Sequence, residues 1–403
     1  MNRTELINYL IQQRNAKRYL EISAHDKQSN FVHIYCKHKQ TTFLYPASHN
    51  FFELNNGEFD IIFIDGNHTE EEVSKDIGYA RRSLSENGII ILHDCMPPDA
   101  WHQRDADQYH KGENWTGTVW KAALREFNTS IAKCTLIDTD WGCGIIDTSQ
   151  TQFPKGRKLP NNLDYEFHYP LLLEYKCSVA AFLRSQVKVF YHLACMGNWQ
   201  EVFEEQMVQL KQSGFHQVDL TMLGTEKDLD FVNATCEKTG LITYLIFRAP
   251  ELSHFEKPAL IAVEEYAKQH EGFVLYIHSK GVSNPADVTK IKWRRLMMRE
   301  LIQNWESCIM QLPYYDAIGV NWRDMPPTSH FCGNFWYAST KYLRRLADFS
   351  KYFDNPRFKI YDRIDNKRLG CEFWISSGTM APKVLSLHCR NVDFCSQHFW
   401  RNK

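Results

Sequence analysis

Between Gly272 and Ser339 the chain gathers residues suited to holding an anionic, hydroxyl-bearing ligand. The apolar run Phe273 to Ile277 ends in His278, Ser279, Lys280 and Gly281, and a basic segment follows at Lys292, Trp293, Arg294 and Arg295. The run reads as a buried strand, and ligands of open α/β sheets bind just beyond the carboxyl ends of such strands. His278, Ser279 and Lys280 therefore stand where a substrate would be held. A lysine ammonium is a compact point charge for phosphate, and an arginine guanidinium adds a bidentate fork, so Lys280 and Arg294 are candidate anion binders. The alternative for both is solvated surface. Asn321 and Asn334 offer amides to ligand hydroxyls, or else cap loops. Trp293, Trp305, Trp322, Trp336 and Trp374 surround this stretch; one or two would stack on a ligand and the others fill the core.

A second constellation lies earlier. Asp65 and His68 follow the run Phe59 to Ile64, and His93 and Asp94 follow Gly88 to Leu92. Two His and two Asp at strand ends could form a catalytic or metal site. The plainer reading, preferred from sequence, is that they cap strands and helices.

The elements that position these residues alternate. Thr4 to Arg14 reads as an amphipathic helix, and Arg18 to Ile22, Phe31 to Tyr35, Phe59 to Asp65 and Gly88 to His93 as strands. Thr69 with Glu72 opens a helix running through Leu84, stopped at Asn87 and Gly88. After an irregular segment, Leu171 to Ser185 reads as a helix. Strands then follow at Val187 to Leu193, Val218 to Leu223, Leu241 to Phe247 and Phe273 to Ile277, with helices at Trp199 to Ser213 and Pro258 to His270. The rhythm predicts two Rossmann-like α/β domains with parallel sheets, spanning 1–150 and 187–403, joined by a linker and connecting helix at 151–186.

A length of 403 residues agrees with two cores. With 47 basic against 48 acidic residues, a general nucleic-acid role is not expected. No apolar window approaches a membrane span and no signal-peptide layout opens the chain. The expected location is the cytoplasm, with peripheral attachment to the inner membrane face as an alternative. The 12 cysteines include no Cys-x-x-Cys and read as reduced, mostly buried thiols.

Tyr19 to Ser23, Phe59 to His68, Gly88 to Cys95, Trp115 to Lys121 and Asp138 to Gly144 together resemble class I S-adenosylmethionine-dependent methyltransferases, and more narrowly a bacterial subgroup associated with sugar and polysaccharide genes. The resemblance implies a cofactor held by a glycine-rich turn after the first strand and an acidic residue on its ribose. Neither is visible: no glycine precedes Gly57, and the second strand leads into Cys36, Lys37, His38 and Lys39. A degenerate domain that does not bind S-adenosylmethionine is therefore expected, serving as scaffold or acceptor platform.

Residues 189–400 resemble a bacterial glycosyltransferase-like family similar to the GT-A nucleotide-sugar fold. The likeness is carried by Tyr191 to Ala194, Leu275 to Gly281, Trp293 and Arg294, Asp316 to Asn321, His330 to Trp336 and Glu372 to Ile375. It implies transfer of a sugar from a nucleotide-sugar donor to a surface glycan, polysaccharide or lipid-linked oligosaccharide. The Asp-x-Asp that such enzymes use for a divalent ion is replaced by His278, Ser279 and Lys280, so no metal or other cofactor is expected to be required. Lys280 and Arg294 would take over the charge. His388 stands where some of these enzymes place a metal-binding His and reads here as a phosphate or structural contact. Glu372 is the candidate general base, at what reads as a helix start. Two further readings are a bifunctional sugar methyltransferase/glycosyltransferase and a non-catalytic carbohydrate-binding assembly protein.

Overall fold

The computed structural model describes residues 1–23, 30–45, 47–324, 328–353 and 367–392, and divides into two compact units, Met1–Phe182 and Leu183–Lys403. The first unit comprises α1 (Arg3–Arg14), β1 (Arg18–Ser23), β2 (His38–Thr41), α2 (Ser48–Leu54), β3 (Phe59–Asp65), α3 (Glu70–Arg82), β4 (Leu84–Leu92), α4 (Val119–Thr129), β5 (Ala132–Asp138), β6 (Cys143–Thr151), α5 (Tyr165–Leu173) and β7 (Lys176–Ser178). A short helix, α6 (Val179–Ser185), runs across the division. The sheet order is β2-β1-β3-β4-β6-β5-β7, parallel except for β6, which is antiparallel to both neighbours.

Ile61, Ile62, Phe63 and Ile64 are buried, as a strand covered on both faces requires, and Trp120 and Phe127 of α4 pack into the same core. Thr69 caps α3 by accepting from the Glu72 amide. Three local expectations need correction. Residues 31–33 form a 3₁₀ turn, and the edge strand is the polar β2 instead. The helix opened by Thr69 ends at Arg82, and β4 begins at Leu84, with Asn87 absorbed in left-handed conformation (φ 62°). The helix expected over 171–185 is broken, because residues 176–178 pair with β5 and so extend the first sheet.

The second unit comprises β8 (Val187–Ala194), α7 (Trp199–Gln212), β9 (Gln217–Leu223), α8 (Glu226–Thr239), β10 (Ile242–Ala249), α9 (Lys257–Gln269), β11 (Phe273–His278), α10 (Val288–Met298), α11 (Trp305–Gln311), β12 (Ala317–Arg323), β13 (His330–Phe331), β14 (Trp336–Ser339), α12 (Thr340–Leu343), α13 (Phe349–Phe353), α14 (Lys367–Phe373) and β15 (Val384–Arg390). Its sheet order is β10-β9-β8-β11-β14-β12-β13, with β15 on β12. Strands β10, β9, β8 and β11 are mutually parallel, and β14 is antiparallel to β11 and β12. Every residue of β11 is buried. Both units are thus α/β layers of Rossmann type. No helix among the described residues is long and apolar enough to cross a membrane.

Candidate functional site

Strand order places a topological switch point in each unit. In the first, β1 has β2 on one side and β3 on the other, so connections leave it in opposite directions and the carboxyl ends of β1 and β3 diverge around a switch point. Ser23 and Asp65, which close those strands, are register partners. In the second, β8 lies between β9 and β11, and the switch falls between the ends of β8 and β11. The β11 end is His278, followed by Ser279 and Lys280.

Around Asp65 the first unit assembles a dense polar cluster. His93 Nδ1 lies 3.3 Å from Asp65 and 3.2 Å from Asp94, and His68 lies 3.5 Å from Asp65 and 3.4 Å from Asp94. Arg3, from the first turn of α1, brings a guanidinium nitrogen 2.8 Å from His93 Nε2 and pairs with Asp140 at 3.7 Å. Burial opposes the Asp65 charge, but hydrogen bonds to His68 and His93, with the charges of His93 and Arg3, outweigh it and hold the carboxyl far below its usual range. Burial likewise disfavours the His93 imidazolium, yet hydrogen bonds to Asp65 and Asp94 push its pKa up to about 10. His68 is raised by the same two acids against its own burial. Asp65, His68 and Asp94 also offer ligand atoms within 4.8 Å of one another, a set that could hold a divalent ion. The plain capping role expected of these four residues understates them: they face one another.

This cluster has a pH signature. A His whose folded pKa lies above its unfolded value of about 6.5 stabilises the fold below that value and loses the contribution as pH rises through the folded pKa. Asp65, depressed, contributes above the ordinary Asp pKa and loses its contribution as pH falls through the depressed one. Thermal melts should show an alkaline loss of stability near pH 10 that His93→Gln removes, since the amide cannot titrate.

Position and rigidity come from the backbone. Thr118 donates to the His68 carbonyl (2.8 Å), and Gly117, at φ 59°, leaves room that a side chain would fill 2.1 Å from that same oxygen. Trp115 stacks on His68 at 5.5 Å and on Tyr109 at 4.7 Å. At the β1 end, Glu21 is buried and accepts from Tyr19 (2.7 Å) and Asn30 (2.9 Å).

In the second unit the turn after β11 is held from several sides. The Ser279 hydroxyl accepts from the Ala194 amide (2.9 Å), tying the ends of β8 and β11 together. Arg294 donates to the Lys280 carbonyl (3.1 Å) and to Glu205 of α7 (2.9 Å), which also takes Arg295. Arg294 therefore shapes the turn, and Lys280 on the turn itself is buried. Its ammonium lies 4.6 Å over the Trp293 ring and 3.8 Å from Glu372, in a nearly dry environment. Glu372 is the penultimate residue of α14 and not at a helix start, so the helix dipole opposes its charge and Lys280 compensates.

Other expected contacts turn inward. His278 bonds the Gly333 carbonyl (2.9 Å) and lies 4.0 Å from Glu256. Glu256 accepts from Tyr276 (2.8 Å) and Asn334 (2.6 Å), and Asn334 in turn accepts from the Trp336 indole (2.9 Å). Burial drives the His278 pKa down despite Glu256, whereas Glu256, which burial alone would raise, is held low by its surrounding imidazoles, Tyr276 and Lys280. The pair is an ionised Glu256 beside a neutral His278. Asn321 exchanges both amide hydrogen bonds with the Val392 backbone (2.7 and 2.9 Å), which is loop capping. His388 lies exposed on β15 at φ 66°. Glu256 and Glu205 went unrecognised in the sequence because their partners are far away along the chain.

Residues 2–95 match a family model described as a methyltransferase domain, and residues 189–374 match one described as a domain of unknown function (DUF8361). No curated protein matches the chain. Among solved structures, the O-methyltransferase from Bacillus cereus in complex with SAH aligns at 13% identity over 36% of this chain and 80% of that one, with a TM-score of 0.23. The methyltransferase match overturns the expectation that S-adenosylmethionine is unlikely here. That expectation rested on the absence of glycine after the first strand, where residues 24–29 lie outside the described residues, and on the basic run Cys36 to Lys39 where an acid was expected. The first unit is a methyltransferase-like α/β domain.

Proposed function

We propose that the chain is a two-part transferase whose first unit methylates a hydroxyl group using S-adenosylmethionine. The observation that carries this reading is the cluster of Asp65, His68, His93 and Asp94 at the carboxyl ends of β3 and β4, in the domain that matches a methyltransferase model. Ser23 and Asp65, which close the two strands flanking the switch point, would hold the cofactor together with Glu21 inside β1, and they supply acceptors for a cationic, hydroxyl-bearing ligand. When bound, S-adenosylmethionine supplies a methyl group on a sulfonium leaving group. The Asp94 carboxylate orients the acceptor hydroxyl and receives its proton, while His93 and Arg3 balance the charge of the cluster. Calorimetric titration should give a micromolar dissociation constant that Asp65→Asn weakens; absence of heat at millimolar cofactor would refute the reading.

For the second unit we propose glycosyl transfer from a nucleotide sugar to a surface glycan or lipid-linked oligosaccharide. What supports this is the Lys280 ammonium beside Glu372 at the β8/β11 switch point, with Trp293 under it. The fixed cation answers a diphosphate, and the carboxylate an acceptor hydroxyl. Release of nucleoside diphosphate from a panel of nucleotide sugars tests it. Because Lys280 stands where a metal would, turnover should survive EDTA; restoration only by Mn²⁺ would sink the metal-free form of the proposal.

A further inference from the structure

We infer that the acceptor of the second unit carries a carboxylate and that Arg323 is the residue that takes it. The inference rests on the glycosyl-transfer reading of Glu372 and Lys280. Strand β14 is antiparallel to both β11 and β12, so those two run in the same direction. Their carboxyl ends share one edge of the sheet, about 10 Å apart at the usual strand spacing. Lys280 follows one of these ends, and Arg323 closes the other as the only residue of β12 that is not buried. Arg323 is the register partner of His330, which puts the two side chains on one face. The buried His330 ring meets Phe373 at 4.8 Å, and Phe373 follows Glu372 in α14. The charges converge in the same way. Burial lowers the His330 pKa against the pull of Glu372, and Arg323 and Lys280 add to the fall. Burial also pushes the Cys332 thiol up to about 12, helped by Glu372 and opposed by Lys280 and Arg323.

The two cations around Glu372 differ in what they can still bind. Lys280 is buried, 3.8 Å from Glu372 and seated over Trp293. Arg323 keeps its Nε buried without a hydrogen-bond partner, and among the described residues no carboxylate pairs with it. Its chain neighbour Asp324 is occupied by the Trp322 indole (2.7 Å) and by Arg390 (3.2 Å). A guanidinium desolvated without an internal acid is completed by an oxyanion from outside, and its planar fork matches a carboxylate. A phosphate dianion would call for a further cation, whereas Lys280 and Arg390 are already paired. In the glycosyl-transfer reading the donor diphosphate answers Lys280 and the acceptor hydroxyl must reach Glu372. A carboxylate at Arg323 therefore belongs to the acceptor, which makes the acceptor an acidic sugar.

The test is saturation-transfer NMR on the full chain with methyl β-D-glucuronide, methyl α-D-galacturonide and the methyl glycoside of N-acetylneuraminic acid, each against its uncharged carboxamide, with glucose 6-phosphate as comparison. At least one acid should bind about ten-fold more tightly than its amide, and Arg323→Gln should bring that acid down to the strength of the amide. Because no internal acid depends on Arg323, this variant should keep its melting temperature within a few degrees. Arg323→Lys retains the charge and loses the fork, so its acid binding should fall between the two. Arg248→Gln, at a guanidinium paired with Glu226 on the far edge strand β10, should leave the acid signal intact. Equal binding of acids and amides, saturation of glucose 6-phosphate alone or of no ligand, or an acid preference undiminished in Arg323→Gln and Arg323→Lys would overturn the inference. If nucleoside diphosphate is released from a nucleotide sugar but no acid is preferred, the inference fails and the glycosyl-transfer reading stands. Acid binding that depends on Arg323 without turnover of any nucleotide sugar sinks that reading and leaves the carboxylate site.

Discussion

In the proposed glycosyl transfer, Glu372→Gln should lower turnover by roughly 10² to 10⁴-fold while leaving nucleotide binding near its original strength. The amide keeps the shape of the carboxyl and its hydrogen-bonding reach but can take no proton from an acceptor hydroxyl. In the proposed reading the donor phosphate is held by Lys280, 3.8 Å away, whose ammonium stays seated over Trp293. A split between turnover and binding is therefore the signature of a base. Activity within a few-fold of the unmodified protein would move the role elsewhere. Asp324 is already engaged, accepting from the Trp322 indole (2.7 Å) and pairing with Arg390 (3.2 Å). Asp316 is likewise tied, to Arg345 and to the Lys383 amide. His330 would be next: burial lowers its pKa against the pull of Glu372, which leaves it neutral and able to accept a proton.

How much of this was legible depends on whether the signal was local. Strands β3 and β11 could be read directly because both are covered on two faces and show as unbroken apolar runs. Strand β2 could not, because a four-residue polar edge pairs on one side only and carries no periodicity. The turn after β11 was proposed as a site from the same logic of strand ends. The direction of Arg294 was not, since its partner Glu205 is 89 residues away and nothing in either segment advertises the pair. Glu372 was assigned to the wrong end of its helix: Gly370 and Cys371, which suggested a start, lie inside α14, and its approach to Lys280 joins segments too far apart in sequence for a local pattern to show. The four residues Asp65, His68, His93 and Asp94 were visible as types and spacing. Their mutual contact needed the register of β3 with β4, which no local pattern encodes.

The buried network behind the second site leads to the largest stability effect expected. Glu256 precedes α9, is 8% exposed, and has no local feature that marks it, yet it is the acceptor for both Tyr276 and Asn334. Glu256→Leu would leave the Tyr276 hydroxyl and an Asn334 N–H buried without their acceptor. Each such orphan costs about 1–3 kcal/mol, so the loss should be about 2–6 kcal/mol, read as a fall in the urea midpoint of the second unit's unfolding. Function should suffer in parallel, because Asn334 sits at φ 58° in the loop whose Gly333 carbonyl bonds His278, and that loop borders the turn carrying Lys280. The distinguishing measurement is a double-mutant cycle with Tyr276→Phe. If the cost of Glu256→Leu comes from orphaned donors, deleting the hydroxyl removes one of them, and the double variant should be less destabilised than the sum of the singles by about 1 kcal/mol or more. Strict additivity would mean that Glu256 acts through packing alone, and that the site is positioned by Ser279 and Arg294 without help from this interior charge.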